Sequence, residues 1–226
     1  MKGYDVSHYN TTTPDADFII IKATEGKTLP DSMLDAHALR AWDNGSITGF
    51  YHYAHAENNS PEAEAEFFIA NIKRYIGRCF VALDFEGKSL TIRNKDAWAM
   101  KFLDTVKRKT GLTGFLYISY GERGKFVKTL TKYPAWFARW GNTEPEGASI
   151  WQYSSLGIDK NITRMTRGEL EKYTKPDAET MTDKIAREVI AGKWGNGAER
   201  KKKITAAGYN YKMIQDRVNE IMAYTE

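Results

Sequence analysis

Short, nearly continuous apolar runs alternate along the first two-thirds of the chain with longer stretches in which apolar residues recur at helical spacing. Phe18-Ile19-Ile20-Ile21-Lys22 has the unbroken character of a strand covered on both faces. Before it, Gly3-Tyr4-Asp5-Val6-Ser7 reads as a first strand. After it, a helical pattern runs from Asp31 to Asn44 and stops at Gly45, a C-cap residue. The spacing then predicts a strand from Ile47 to Tyr53. Ser60-Pro61 follows in the favoured order of N-cap and first helical position, opening a helix that runs to Gly77. A strand at Cys79–Leu83 and a helix from Asn94 to Lys109 come next. Further strands are expected at Thr113–Ser119, Ala135–Arg139 and Ile150–Tyr153, and Thr166-x-x-Glu169 is a capping box that starts a closing helix. Strand and helix in alternation, with buried strands, predict an α/β fold with a parallel sheet, and the strand count favours a barrel.

The texture changes after Tyr173. Residues 174–181, with Pro176 among mostly polar neighbours, read as a linker between a domain at 1–173 and a tail at 182–226. The tail holds three helical segments punctuated by Gly192, Gly195-Asn196-Gly197 and Gly208-Tyr209-Asn210. Its last segment carries an apolar stripe of Ile214, Val218, Ile221 and Met222. A small all-α, three-helix unit is expected there, short for a domain that folds by itself.

Composition narrows the class. A hydrophobic share of 42% and an aromatic share of 13% belong to an ordered globular protein. The single cysteine, Cys79, excludes an internal disulfide and sits in an apolar strand. No stretch approaches a membrane span and no signal peptide precedes the first strand. Synthesis in the cytoplasm is therefore expected, with release by some other agent if the protein acts outside. The net charge of +4 is concentrated in the tail, where nine Lys and Arg face six Asp and Glu from Thr182 onward. The run Arg200-Lys201-Lys202-Lys203 lacks aromatic interleaving and any nucleic-acid motif, so neither a nucleic acid nor a membrane is expected as partner. It reads as a solvated helix face, or as a surface drawn to an acidic polymer.

The chemistry concentrates at Leu83-Asp84-Phe85-Glu86. Side chains alternate along a strand, so Asp84 and Glu86 share a face with Cα atoms roughly 6.6 Å apart. Two crowded carboxyls repel, which raises one pKa and leaves the other ionised, as glycoside hydrolysis requires. The alternative is a pair of surface carboxylates that meet Lys88 or Arg93. His52 and His55 fall on opposite faces by their spacing, and with no Cys/His cluster elsewhere neither a metal site nor a cofactor is expected.

Six motifs in order carry a resemblance: Gly3-Tyr4-Asp5-Val6-Ser7, Ile21-Lys22-Ala23-Thr24-Glu25-Gly26, Gly49-Phe50-Tyr51-His52-Tyr53, Leu83-Asp84-Phe85-Glu86, Trp136-Phe137-Ala138-Arg139-Trp140 and Trp151-Gln152-Tyr153. Over about the first 170 residues the chain resembles the lysozymes of glycoside hydrolase family 25, the Chalaropsis-type muramidases. The tail, from Ile185 through Lys193-Trp194-Gly195-Asn196-Gly197 to Val218-Asn219, resembles the three-helix cell-wall-binding repeat of some phage lysozymes. The resemblance implies an irregular TIM-like β/α barrel and cleavage of the β-1,4 bond from N-acetylmuramic acid to N-acetylglucosamine. It implies Glu86 as general acid, Asp84 as the residue that orients the substrate's 2-acetamido group, and Asp5 as a third carboxylate that tunes both.

The family places a further Asp after the Trp-Gln-Tyr strand, where Thr163 stands in this chain, and Asp159 lies four residues earlier. Tyr51 and Trp140 are the expected sugar platforms, Tyr53 a candidate cleft residue, Glu25 either a cleft residue or a structural contact of Lys22, and Trp151 a core residue. In the tail Trp194 is either a packing anchor or a sugar contact, while Arg187 and Arg200 could meet the acidic groups of a muropeptide. With one copy of the repeat, avidity from tandem copies is excluded unless the protein oligomerises. Three classes of function follow: a muramidase with a wall-targeting tail, of the phage endolysin kind, released to the wall by a holin; a wall-binding protein with a weakened barrel; and a hydrolase of another N-acetylated polysaccharide. Intact Asp5, Asp84 and Glu86 speak against the second, and the tail speaks against the third.

Overall fold

The computed structural model describes residues 1–177 and 181–222, and the chain divides into two compact units between residues 177 and 178. In the first unit nine strands form one sheet: β1 (Lys2–Val6), β2 (Phe18–Glu25), β3 (Leu29–Pro30), β4 (Ile47–Tyr53), β5 (Cys79–Asp84), β6 (Phe115–Ser119), β7 (Ala135–Ala138), β8 (Ala148–Ser154) and β9 (Asp159–Ile162). Parallel pairing runs from β1 through β2, β4, β5, β6 and β7 to β8, and β9 then closes an eight-stranded barrel by pairing antiparallel with both β8 and β1. The two-residue β3 folds back on the end of β2. The sequence pattern did not reveal β9. Only residues 155–158 separate it from β8, too few for the crossover that a parallel neighbour needs, so it returns antiparallel.

The alternation along each strand builds two concentric cores. Phe18, Ile20, Tyr51, Phe80, Ala82, Phe115, Tyr117, Trp136 and Ile150 fill the barrel interior. Ile19, Ile21, Phe50, Val81, Leu83, Leu116, Ile118 and Phe137 point outward. They are covered by α1 (Leu34–Asp43), α2 (Pro61–Ile72), α3 (Lys95–Thr110) and the short α4 (Val127–Lys132). Both faces of a strand such as β2 are therefore apolar for two different reasons. At Gly49 the interior is tight enough that a Cβ would lie 2.3 Å from the Phe80 ring, which explains a glycine in the middle of a strand. The bottom is closed by α5 (Arg167–Lys172), whose Leu170 inserts into the inner core behind the expected Thr166–Glu169 capping box.

Residues 174–177, expected as the start of a linker, are fixed on the barrel. Thr174 is buried, Lys175 donates to the Gly77 carbonyl, and the Asp177 amide donates to the Gly111 carbonyl while its carboxylate pairs with Lys107. Residues 178–180 of the expected linker lie outside the described residues.

The second unit comprises α6 (Met181–Ile190), α7 (Gly197–Ala206) and α8 (Tyr211–Met222) around Ile185, Ala186, Val189, Ile204, Ile214 and Val218. Ile221 packs against this core, whereas Met222, the last residue of the expected stripe, is exposed.

Candidate active site

The carboxyl ends of the parallel strands and the start of the antiparallel β9 bring together four acids from three elements. Asp5 on β1 stands opposite Asp159 on β9 in the antiparallel register. One oxygen of Asp5 accepts from Asn161 Nδ2 at 2.6 Å and from Gln152 Nε2 at 3.0 Å. Those donors are themselves held, Asn161 by Trp136 Nε1 at 2.8 Å and Gln152 by the Tyr117 hydroxyl at 3.0 Å. Burial and the neighbouring Asp159 push the Asp5 carboxyl up to about 7. Asp159 is raised as well, chiefly by burial.

Asp84 ends β5 and Glu86 follows two residues on in extended backbone, so both point to the barrel mouth. Asp84 is 6% exposed, and its Oδ1 is buried without a hydrogen-bond partner among the described residues. Burial, then Glu86 and Asp5, hold its carboxyl well above the usual range. Glu86 is half-buried and likewise raised, first by burial and then by Asp159. The sequence leads one to expect that one of the pair stays low. Desolvation acts on both, and both rise. Neither meets Lys88 or Arg93, so the surface ion-pair alternative is not realised.

Four of the residues that build this site carry no assignment from the sequence pattern: Lys22, Tyr117, Gln152 and Asn161. Lys22 is 7% exposed at the inward register of β2, and its charge lowers the pKa of both Asp84 and Glu86. A charged residue in phase with Phe18 and Ile20 was the available signal. Glu25 is not free in the cleft. Its carboxylate accepts from Lys22 Nζ at 2.5 Å and from His55 Nε2 at 2.8 Å, and Glu57 accepts from the other His55 nitrogen at 3.1 Å. These two carboxylates raise the His55 pKa. Behind them, His52 is sealed between α2 and α3. Its Nε2 donates to the buried Glu64 at 2.7 Å and its Nδ1 accepts from the Thr24 hydroxyl at 2.8 Å. His52 thus belongs to the outer core, and His55 lies beyond the strand end.

The aromatic residues divide. Tyr51 is 9% exposed with its ring edge-on to Trp136, so it forms part of the floor and does not offer the open face expected of a sugar platform. Tyr53 is half-buried, and burial, then the charge of Glu86, pushes its hydroxyl up to about 12. Trp151 is buried as expected. Trp140 is 69% exposed and borders a cleft of about 420 Å³ shared with Glu86, Tyr117, Tyr120 and Arg139. Thr163, where the fourth family acid was sought, is buried and bonded to the Ser149 carbonyl. Asp159 stands on β9 in register with Asp5.

Raised carboxyls also set the stability profile. Their ordinary values lie at 3.8 for aspartate, and the folded value of Asp5 is about 7, so folding discourages ionisation between those limits. The contribution of Asp5 to stability is greatest below the lower value and falls as pH rises toward the upper one. Asp5→Asn should flatten part of that decline, read as a smaller Tm difference between pH 4 and pH 8 by scanning calorimetry.

Carboxyls with raised pKa values, gathered at a barrel mouth beside an open cleft with an exposed tryptophan, are suited to breaking an acetal with general-acid help, the chemistry of a glycoside hydrolase. Residues 4–162 match the sequence signature of Glycosyl hydrolases family 25, and the chain belongs to that family, whose members act as lysozymes or muramidases. Residues 183–222 match the CW_7 repeat. The chain is 29% identical to a lysozyme of Streptococcus phage Cp-7, over 97% of this chain and 67% of that protein. It is 29% identical to an N,O-diacetylmuramidase of a Chalaropsis species, over 77% of this chain and 98% of the other. The fold superposes on a bacterial lysozyme from Streptomyces coelicolor with a TM-score of 0.68 at 25% identity, covering 78% of this chain and 98% of that one.

In the tail, Trp194 donates from Nε1 to Glu188 at 2.9 Å and packs edge-on to Tyr209. Arg200 donates to the Gly195 carbonyl and to Asn196. Both side chains brace their own unit, while Arg187 lies on the exposed side of α6. No helix among the described residues is long and apolar enough to cross a membrane.

Proposed function

We propose that this chain is an N-acetylmuramidase that cuts the β-1,4 bond from N-acetylmuramic acid to N-acetylglucosamine in bacterial peptidoglycan. Glu86, raised and open to the cleft, protonates the glycosidic oxygen. Asp84 accepts a hydrogen bond from the N–H of the substrate's acetamido group, whose carbonyl oxygen attacks the anomeric carbon; water then opens the cyclic intermediate with retention. The observation that carries this reading is the unpartnered, buried Oδ1 of Asp84, an acceptor of raised basicity two residues from the acid. Asp5 and Asp159 share one corner of the site and tune both groups through their charge. The CW_7 match supports a wall-binding role for the tail, with Arg187 as a candidate contact. The likeness to a phage lysozyme supports an endolysin that reaches the wall after release by a holin.

Digestion of purified peptidoglycan, with borohydride reduction and mass spectrometry of the fragments, tests the reading. Reduced muramic acid ends are expected. Reduced glucosamine ends would transfer the activity to the other glycosidic bond, and binding without fragments would leave the barrel a scaffold. Trp140→Ala should raise KM about two- to tenfold with kcat nearly unchanged, since a lost stacking face is worth roughly 0.5–1.5 kcal/mol. Steady-state kinetics on soluble glycan fragments would check it.

A further inference from the structure

The wall of the cleft opposite the carboxylate cluster is basic, and the proposed reaction does not use it. Arg139 follows β7 directly, and its backbone is fixed on both sides: its amide donates to the Gln152 carbonyl at 3.0 Å and its carbonyl accepts from Trp151 Nε1 at 2.7 Å. Its side chain is exposed in the cleft between Trp140 and Tyr120. The guanidinium stands 5.4 Å from the Tyr120 ring, and that of Arg123 lies 4.1 Å from the same ring. Phe137 holds that ring from below, with centroids 5.3 Å apart.

Two guanidiniums are thus gathered on one tyrosine, and among the described residues neither meets a carboxylate. Elsewhere in the barrel unit Arg74, Arg164 and Arg167 each pair with an acid. Nor is Arg139 the counter-ion of the catalytic acid, because the groups acting on Glu86 are Asp159 and Lys22. Two exposed guanidiniums beside one ring, with no acid among the described residues, can receive an incoming anion.

We propose that Arg139, with Arg123 behind it on the Tyr120 platform, forms a subsite for a carboxylate carried on a substituent of the glycan. The proposal rests on the muramidase reading and names the feature of the substrate that this side of the cleft selects. A chain of N-acetylated sugars is itself neutral, so its backbone offers a guanidinium pair hydrogen-bond acceptors and no counter-charge. A pendant carboxylate suits the planar donor fork of arginine, and Trp140 next to it supplies the face for the sugar ring. The carboxylate can belong to the lactyl ether of an unsubstituted muramic acid or to a peptide stem attached there.

The test compares native peptidoglycan with peptidoglycan whose free carboxylates have been converted to carboxamides by carbodiimide and ammonia. For the wild type, amidation should raise KM about three- to tenfold at nearly constant kcat. Arg139→Ala should show that same rise on the native wall and be indifferent to amidation, Arg139→Lys should keep part of the sensitivity, and Arg164→Ala should behave as wild type. Stem-free glycan with bare lactyl groups separates the two sources: sensitivity to amidation retained there assigns the lactyl carboxylate, and loss assigns the stem. Equal sensitivity to amidation in wild type and Arg139→Ala would overturn the subsite, even with full muramidase activity. A wild type that releases no fragments from either wall would overturn the muramidase reading and the subsite together.

Discussion

Glu86→Gln is expected to lower peptidoglycan hydrolysis by about two orders of magnitude or more while leaving the protein at least as stable as the wild type. General-acid assistance is worth about 10²–10⁴ in rate, and a glycosidic oxygen is a poor leaving group without it, so kcat should fall by at least that factor. Gln keeps the shape of Glu86 and cannot deliver the proton. The stability side follows from the direction of the pKa shift. Burial and Asp159 raise the folded value above the ordinary 4.5, so the ionised carboxylate opposes folding as pH rises past that point. Removing the charge removes the opposition, and Tm at pH 7 should be unchanged or higher. Turbidity clearance of cell walls and thermal melts on the same preparation would check both halves. A variant that keeps a tenth of wild-type activity would move the acid to another residue of the cluster.

Glu64→Ala is expected to give the largest loss of stability. Glu64 is fully buried on α2 and accepts from the His52 ring at 2.7 Å, from the His55 amide at 3.1 Å and from Asn59 Nδ2 at 2.8 Å. Truncation strands three donors in a space that is otherwise closed by Phe68 and Phe102. The cost should be about 3–5 kcal/mol, which for a chain of this size lowers Tm by roughly 8–15 °C. Glu64→Gln keeps an acceptor and the volume, and should lose about a third as much. The effect should also reach the site. His55 connects Glu64 through its backbone and Glu25 through its ring, and Glu25 fixes Lys22 beside the acids. A fall in kcat larger than the unfolded fraction explains, measured at a temperature where the variant is folded, would mark that connection. Equal melts for Ala and Gln would show that the buried acceptor is not what holds this corner together.

The strands were legible where burial imposed a pattern. Phe18–Ile21 and Cys79–Leu83 are apolar at every position because one face fills the barrel and the other meets helices, and such runs admit few readings. β9 was not legible for the opposite reason. Its Asp159 and Asn161 are polar because they face the site, with Lys160 between them on the other face, and a functional strand loses the apolar signature that marks a structural one. The same cause hid Lys22, Gln152 and Asn161. Their chemistry depends on which strands are neighbours, and Asp5 meets Asn161 across 156 residues of chain.

By itself, the sequence determined that Asp84 and Glu86 share a face, that strands and helices alternate in an α/β fold with a parallel sheet, and that a separate helical tail follows. Those are consequences of local periodicity, which a chain cannot alter without changing its residues. Only the tertiary structure decided that Asp159 joins Asp5, that Tyr51 sinks into the floor while Trp140 stays open, and that Arg139 and Arg123 converge on Tyr120 without an acid between them. Closure of the barrel sets those distances, and closure is a property of strand order and register, which no local stretch of residues contains.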